Sequence, residues 1–258
     1  MGCHLTRPTE NTIRCTGKLR PGAYSIAGDV SSQYITGLLF AHMLMEENST
    51  LEITGKTESA SYIEMTRLAL ELFPNRHSPG YLEVEGDWSN GAFWLAAMWL
   101  GSDMTVSNLN PDSPQGDRAC GSLLPHLKEH ITISAADIPD LVPILSVVAA
   151  ANKGAVFTDI QRLRLKESDR VASVIAMLTA LGGRAEATED TLTVYGTGLQ
   201  GGVVDAVNDH RIAMSAAIAA TVCKKPLTIL GAECVKKSYP RFWEEYTRLG
   251  GNYELNLR

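Results

Sequence analysis

Apolar residues along this 258-residue chain follow two periods in turn, and the change from one to the other recurs four times. A short run with strand-like spacing ends in small or acidic residues, and an apolar helical pattern follows. The first unit has Tyr24-Ser25-Ile26-Ala27-Gly28-Asp29-Val30, then Ser31-Ser32-Gln33 and a predicted helix from Tyr34 to Met45. The second has a β-like run from Tyr81 to Trp88, then Ser89-Asn90-Gly91 and a helix from Ala92 to Leu100. The third runs Ile131-Thr132-Ile133-Ser134, Asp137-Ile138-Pro139-Asp140 and a helix from Leu141 to Ala151. The fourth is Val203-Val204-Asp205-Ala206-Val207, Asn208-Asp209-His210-Arg211 and a helix from Ile212 to Cys223.

The landmarks Ser31, Ser89, Asp140 and Asp209 lie 58, 51 and 69 positions apart. A second strand follows at Ser49 to Thr54, Ala155 to Thr158 and Pro226 to Leu230, with Met104-Thr105-Val106 in the same place of the second unit. An amphipathic helix closes three units. Val171, Val174, Ile175, Leu178 and Leu181 keep helical spacing up to Gly182-Gly183, a helix-stop signal. Met65, Leu68 and Leu72 do so before Phe73-Pro74, and Phe242, Tyr246 and Leu249 before Gly250-Gly251. A βαβα piece of this size cannot bury its own apolar faces, so the pattern predicts stacked α/β repeats around a shared core. The first helix of each unit is apolar nearly all round and is expected to be buried. The charged tips fall at equivalent helix ends, where they can converge on one cleft.

Composition narrows the ligand. A formal charge of −6, with 45% hydrophobic and 20% charged residues, describes an ordinary globular chain. It argues against nucleic acid as a partner, because such proteins carry a basic face. A small anion remains compatible, since a few cations in a cleft set the local field. Cys3, Cys15, Cys120, Cys223 and Cys234 are odd in number and scattered, which predicts reduced thiols and a cytoplasmic, soluble protein. The longest apolar stretches are too short to cross a bilayer, so no membrane partner is expected.

Two motifs concentrate charge where a helix begins. Lys166, Glu167 and Arg170 precede one amphipathic pattern, and Asp209, His210 and Arg211 precede a buried one. A helix N-terminus favours anions and disfavours cations. Lys166 and Arg170 therefore conflict with the dipole unless an anionic ligand sits beside them. A plainer account pairs Glu167 with Arg170 at i,i+3. Glu167, between two cations, is a candidate proton carrier. Asp209 reads as an N-cap, whereas Arg211 at a buried helix start is expected to face a cleft and grip a carboxylate or phosphate.

Other positions keep two readings. Ser31-Ser32-Gln33 is either a cap and first turn or a phosphate cradle. Ser61 to Glu64 reads as a capping box, which leaves Tyr62 and Ser59 as ligand contacts. Asp140 is a cap or a general base. Lys236-Lys237 is a solvated pair or an anion contact ahead of a helix start at Ser238-Tyr239-Pro240. The sequence has no Walker A pattern, no G-x-G-x-x-G after a strand, no H-E-x-x-H and no G-x-S-x-G. Proton transfer beside bound anions is the chemistry that remains, with no metal and no cofactor.

Gly28-Asp29-Val30-Ser31-Ser32-Gln33, the run Leu163 to Arg170, the run Asn208 to Met214, and Lys237-Ser238-Tyr239-Pro240 resemble the signatures of the 5-enolpyruvylshikimate-3-phosphate synthase family. The resemblance implies the inside-out α/β barrel of enolpyruvyl transferases, with four of the family's six repeats present. It places residues 1–83 as the last repeat of the first domain and 84–258 as three repeats of the second. It also implies transfer of the enolpyruvyl group from phosphoenolpyruvate to the 5-hydroxyl of shikimate 3-phosphate, in the shikimate pathway, with glyphosate as an inhibitor at the phosphoenolpyruvate position. By position, Ser31, Ser32, Gln33, Ser59, Tyr62, Asp140 and Lys166 would contact shikimate 3-phosphate. Gln33, Arg170, His210, Arg211 and Lys237 would hold phosphoenolpyruvate, and Asp140 and Glu167 would carry the protons.

The family's opening lysine-serine segment, its Asn-Ala-Gly loop and a following arginine have no counterpart here, and Met1-Gly2-Cys3-His4 reads as the interior of a family member. Each lost charge-assisted contact is worth roughly 1.5–3 kcal/mol, so the chain alone is expected to be weak or inactive. The expected partners are the two anionic substrates, with a complementing N-terminal fragment or self-association. One half of a split enzyme, or a non-catalytic anion-binding or assembly module, are the other readings.

Overall fold

The computed structural model describes residues 2–29, 31–45, 49–57, 59–73 and 77–255. Val30 and Pro74, which fall within expected motifs, lie outside the described residues. The chain divides into two compact units, Met1–Val84 and Glu85–Arg258.

The first unit opens with an antiparallel hairpin, β1 (Cys3–Thr9) and β2 (Thr12–Gly17). It continues as β3 (Ala23–Ala27), α1 (Ser32–Leu44), β4 (Thr50–Thr54) and α2 (Ala60–Glu71). β3 and β4 pair in parallel, with the half-buried Tyr24 and Ile26 beside Leu51 and Ile53 on the alternate positions that a strand presents to one face. The Ser31 hydroxyl caps α1 by accepting from the Gln33 amide at 3.3 Å. α1 and α2 are tied by a 2.8 Å bond between the Thr36 and Thr66 hydroxyls. Two expectations fail here. α1 is not buried, since Tyr34 and Leu44 are 61% and 72% exposed; its apolar composition marks a helix that wants covering, and within this unit only Ser32 and Ile35 are fully buried. Ser61 lies inside α2 rather than capping it, because the helix already starts at Ala60 with left-handed Ser59 as the preceding residue.

The second unit holds the core. Its elements are α3 (Trp88–Trp99), α4 (Cys120–His126), β5 (Ile131–Ser134), α5 (Val142–Ala151), β6 (Gly154–Thr158) and α6 (Arg170–Ala180), followed by β7 (Arg184–Ala187), β8 (Thr191–Tyr195), β9 (Val203–Asp205), α7 (His210–Ala219), β10 (Thr228–Leu230) and α8 (Phe242–Arg248). The larger sheet has the order β5-β6-β8-β7, with β5 parallel to β6 and the other two pairs antiparallel; β9 and β10 form a parallel pair. α3, α5 and α7 pack on one another. α5 and α7 are buried along nearly their whole length, which is why α5 is apolar nearly all round and α7 is so beyond its polar first turn. α6 is amphipathic and buries Val171, Val174, Met177 and Leu178.

The second repeat departs from its expected form. Neither Tyr81 to Trp88 nor Met104 to Val106 is a strand. Here side chains take over the role of a ladder: Gln115 Nε2 donates to the Gly86 carbonyl at 2.9 Å and to Glu85 at 2.8 Å, while its Oε1 accepts from the Trp88 amide at 2.8 Å. Nor does a helix begin at Ser238-Tyr239-Pro240. Lys236 and Lys237 end a short 3-10 helix, Ala232–Lys237, and α8 starts at Phe242.

Candidate functional site

Within the second unit, α3, α5 and α7 bring their N-termini to one place. Arg211, in the first turn of α7, donates from Nη2 to Asp140 Oδ2 at 2.9 Å and to the Ser89 hydroxyl of α3 at 3.3 Å. Asp140 stands just before α5. A single guanidinium thus joins three helix entrances, where dipoles and free N–H groups favour negative charge.

Of the two readings of Asp140, the cap does not hold, because the N-cap of α5 is Leu141. Its carboxylate faces Arg170 Nη1 at 2.5 Å, Arg211 Nη2 at 2.9 Å and Lys166 Nζ at 3.5 Å. Burial alone would raise the pKa of Asp140, but Arg211, Lys166 and Arg170 outweigh it and hold the group well below the ordinary carboxylate range.

Arg170 is fully buried at the first position of α6. Its three nitrogens meet Asp209 at 2.9 Å, Asp140 at 2.5 Å and Glu167 at 2.5 Å. The conflict expected from a cation at a helix start is therefore resolved by the chain's own carboxylates. Burial disfavours the Arg170 charge, yet Asp140 and Asp209 more than compensate and strengthen its hold on the proton. Asp169 takes the cap of α6 instead, accepting from the Ala172 amide at 3.1 Å.

Asp209 does cap α7, accepting from the Arg211 amide at 2.9 Å, and its other oxygen accepts from Arg170 and from Ser168. Burial pushes the Asp209 pKa up, while Arg170 and these hydrogen bonds bring it below normal. His210 is 5% exposed, and burial followed by the neighbouring Arg211 lowers its pKa. Lys237 Nζ reaches the Asn208 carbonyl at 2.7 Å. That carbonyl belongs to an unusual turn in which Val207 and Asn208 both have left-handed backbone, at φ 45° and 59°. A β-branched residue there is strained, and such strain gathers where a chain must be aimed.

The first unit places its own candidates together. Ser32, Gln33 and Tyr62 line a groove between α1 and α2 with Thr36 and Thr66, and Ser31 caps α1 at the head of it. Ser59 stands at the start of α2.

Three residues of the site are given no role by the sequence reading. Ser89 was legible only as a repeat landmark. Asp117, in the 3-10 helix Gly116–Ala119, accepts a hydrogen bond from the Ser89 hydroxyl and is 3% exposed. Burial first, and then the Asp140 charge, raise its pKa to about 6. Ser168 joins Asp209 to Ser173, by bonds of 3.0 and 2.9 Å. Ser168 lies inside a run that the sequence singles out, but its partner Asp209 is 41 residues away, as Asp117 is 28 residues from Ser89, and local spacing cannot show such pairings.

A model of the EPSP synthase (3-phosphoshikimate 1-carboxyvinyltransferase) family matches residues 7–135 and 121–246. The chain belongs to this family. A 3-phosphoshikimate 1-carboxyvinyltransferase of Clostridium kluyveri is 39% identical over 94% of the chain, and one of Clostridium acetobutylicum 37% identical over 93%. The chain spans 65% and 64% of those relatives' own lengths. Among solved structures, an EPSP synthase of Acinetobacter baumannii superposes with a TM-score of 0.73 at 21% identity, covering all of this chain and 70% of that one. The enolpyruvyl transferase NikO of Streptomyces tendae gives 0.69 at 16% identity, over 97% and 69% of the two chains. These structures establish the fold as the inside-out α/β fold of the enolpyruvyl transferases. Among the described residues no helix is long and apolar enough to cross a membrane.

Proposed function

We propose that this chain carries a large part of the machinery for moving the enolpyruvyl group of phosphoenolpyruvate to the 5-hydroxyl of shikimate 3-phosphate, with release of phosphate. The observation that carries this reading is the cluster of Arg170, Arg211 and Lys166 around Asp140 at the joined entrances of three buried helices. Family membership supports it.

In this reading Arg170, His210, Arg211 and Lys237, with Gln33, hold phosphoenolpyruvate. Ser31, Ser32, Gln33, Ser59, Tyr62, Asp140 and Lys166 contact shikimate 3-phosphate. The reaction needs a proton taken from the attacking hydroxyl and a proton delivered to the methylene carbon. Loss of phosphate then removes a proton from that carbon again. Asp140 is ionised at neutral pH, but the three cations around it make it a weak base; in this reading it accepts the hydroxyl proton once incoming anions draw those cations away. Glu167, on the open side of Arg170, exchanges the carbon-bound proton. An incoming carboxylate or phosphate competes with Glu167 for Arg170, so substrate binding itself frees the acid–base group.

The 258 residues alone are weak or inactive in this reading, because the relatives' remaining third supplies further cations. Phosphate release, measured for the chain alone and after mixing with the part of a relative that it does not span, tests this. We expect little turnover alone and recovery on mixing. Full turnover by the chain alone would overturn the missing-cation argument. Calorimetric binding of shikimate 3-phosphate that Lys166→Ala abolishes, with no turnover in any mixture, would leave an anion-binding module in place of an enzyme.

A further inference from the structure

Asp117 has no role in the proposed reaction, yet it is buried beside the residues that do. Its Oδ2 accepts from the Ser89 hydroxyl, and its Oδ1 is buried with no hydrogen-bond partner among the described residues. With its proton donated to Asp117, the Ser89 oxygen is left to accept, and it accepts from Arg211 Nη2 at 3.3 Å. The same nitrogen donates to Asp140 Oδ2 at 2.9 Å, and Nη1 lies 3.5 Å from the Asp140 carbonyl. Both ends of the guanidinium fork are thus held by the protein. Arg211 Nε is buried and has no partner among the described residues. A buried donor without an acceptor is costly and marks a place where a ligand atom completes the set.

We propose that Asp117 is a positioning residue: by orienting the Ser89 hydroxyl it fixes the Arg211 guanidinium against Asp140, so that the Nε edge stays turned toward a bound carboxylate or phosphate. The hold on Arg211 follows from the hydrogen bonds alone, whereas the ligand at Nε rests on the function proposed above. Exchanging the roles in the Ser89 bond is what protonation of Asp117 would allow, because a neutral carboxyl can donate to Ser89 and turn the hydroxyl proton toward Arg211. Asp117 is flanked by Ser89 and Asp87 at the α3 entrance, Asp140 before α5, Arg211 on α7 and Cys120 on α4. Asp140 stays ionised through neutral pH and Cys120 stays protonated, its thiol pushed up to about 12, so neither produces a step near pH 6. His210 is the other group that titrates nearby.

The test is NMR of the Arg211 side-chain Nε–H in the intact chain, assigned by its loss in Arg211→Lys. In the wild type we expect a resolved signal that shifts with a midpoint near pH 6. Asp117→Asn removes that step, whereas a His210 origin would leave it in place. Ser89→Ala speeds exchange of the Nε–H by roughly tenfold, the size of one hydrogen bond to a charged group, and Ser89→Thr restores it. Ser89→Ala deletes one oxygen at a half-buried position and keeps the test open if Asp117→Asn does not fold. An Arg211 signal that is the same in Ser89→Ala and wild type, or a pH step that survives Asp117→Asn, overturns the proposal. Calorimetry with phosphoenolpyruvate adds the ligand arm: Ser89→Ala weakens binding roughly tenfold and Ser89→Thr does not. Failure of the wild type to bind phosphoenolpyruvate counts against the reading of Arg211 as a substrate residue, while the exchange measurement still decides the positioning role.

Discussion

The two units are written in the same βαβα pattern and differ in what they bury. Among the described residues of the first, Ile35 and Ile63 are the buried apolar side chains, and no charged residue is buried. The second encloses three helices and buries Asp117, Arg170, Asp209, His210 and Arg211 along with its apolar core. A repeat pattern therefore specifies elements, but the stacking of helices on one another decides where charge can be held out of water. Charge so held is strong in its interactions and costly when a partner is removed.

The largest effect should come from breaking that network at its centre. Arg170→Met leaves Asp209 and Asp140 without their shared cation, and removing one partner of a buried pair costs about 3–5 kcal/mol. All four tryptophans, Trp88, Trp94, Trp99 and Trp243, lie in the second unit, so their fluorescence during urea unfolding reports on it alone. We expect the midpoint to fall by that loss divided by the slope, with the slope unchanged. Amide exchange of β3 and β4 shows whether the loss stays in the second unit, and an equal loss in both would break the comparison.

Asp117 should give a smaller effect of opposite sign. Its folded pKa is raised from 3.8 to about 6, so its contribution is fully favourable below 3.8 and is lost as pH rises through 6. That gap corresponds to at most about 3 kcal/mol at a site 3% exposed. Asp117→Asn escapes this loss, so the variant should gain on the wild type between pH 4 and pH 8. Asp140 and Asp209 work the other way: their lowered pKa values give stability that is present above 3.8 and lost as pH falls below it. A variant no more stable than wild type at pH 8 would show that the Ser89 bond to ionised Asp117 outweighs its burial. The pairing of positioning value with a stability cost is what a functional site leads one to expect.

The contrast also marks how far the sequence could be read. Apolar runs at α5 and α7 announced buried helices, and the caps at Asp209 and Ser31 were legible because a cap acts within three residues. The charge conflict at Lys166 and Arg170 was visible, but its resolution by Asp140 and Asp209 was not, since those carboxylates are 26 to 39 positions away in sequence. Ser89 and Asp117 stayed hidden for the same reason. The strands expected from Tyr81 to Trp88 and at Met104 to Val106 failed on another ground: strand-like alternation measures apolar spacing, and it cannot foresee that Gln115 will satisfy the Gly86 carbonyl. The burial of α1 was misread because composition records a preference for cover, and only the fold supplies the cover.

Helix caps give the smallest effect and the finest test of the two units. Ser31 caps α1 through the Gln33 amide, and Asp87 caps α3 through the Asn90 amide at 3.1 Å. Replacing either by alanine removes one side-chain acceptor, a loss of about 1 kcal/mol. The backbone cap bond is common to both, although Asp87 also accepts from the Asn90 side chain at 2.6 Å, and the surroundings differ. α3 is packed against α5 and α7, so the loss in Asp87→Ala should be shared by the whole unit and appear as a lower urea midpoint with the local exchange pattern kept. α1 is packed mainly through Ile35, so in Ser31→Ala the first turn should fray by itself. Amides at the start of α1 should then exchange about fivefold faster, the equivalent of 1 kcal/mol, while those of α2 hold their rates. Faster exchange spread evenly over β3, α1, β4 and α2 would mean that the first unit unfolds as one body despite its thin core, and the comparison would have to be redrawn around cooperativity instead of burial.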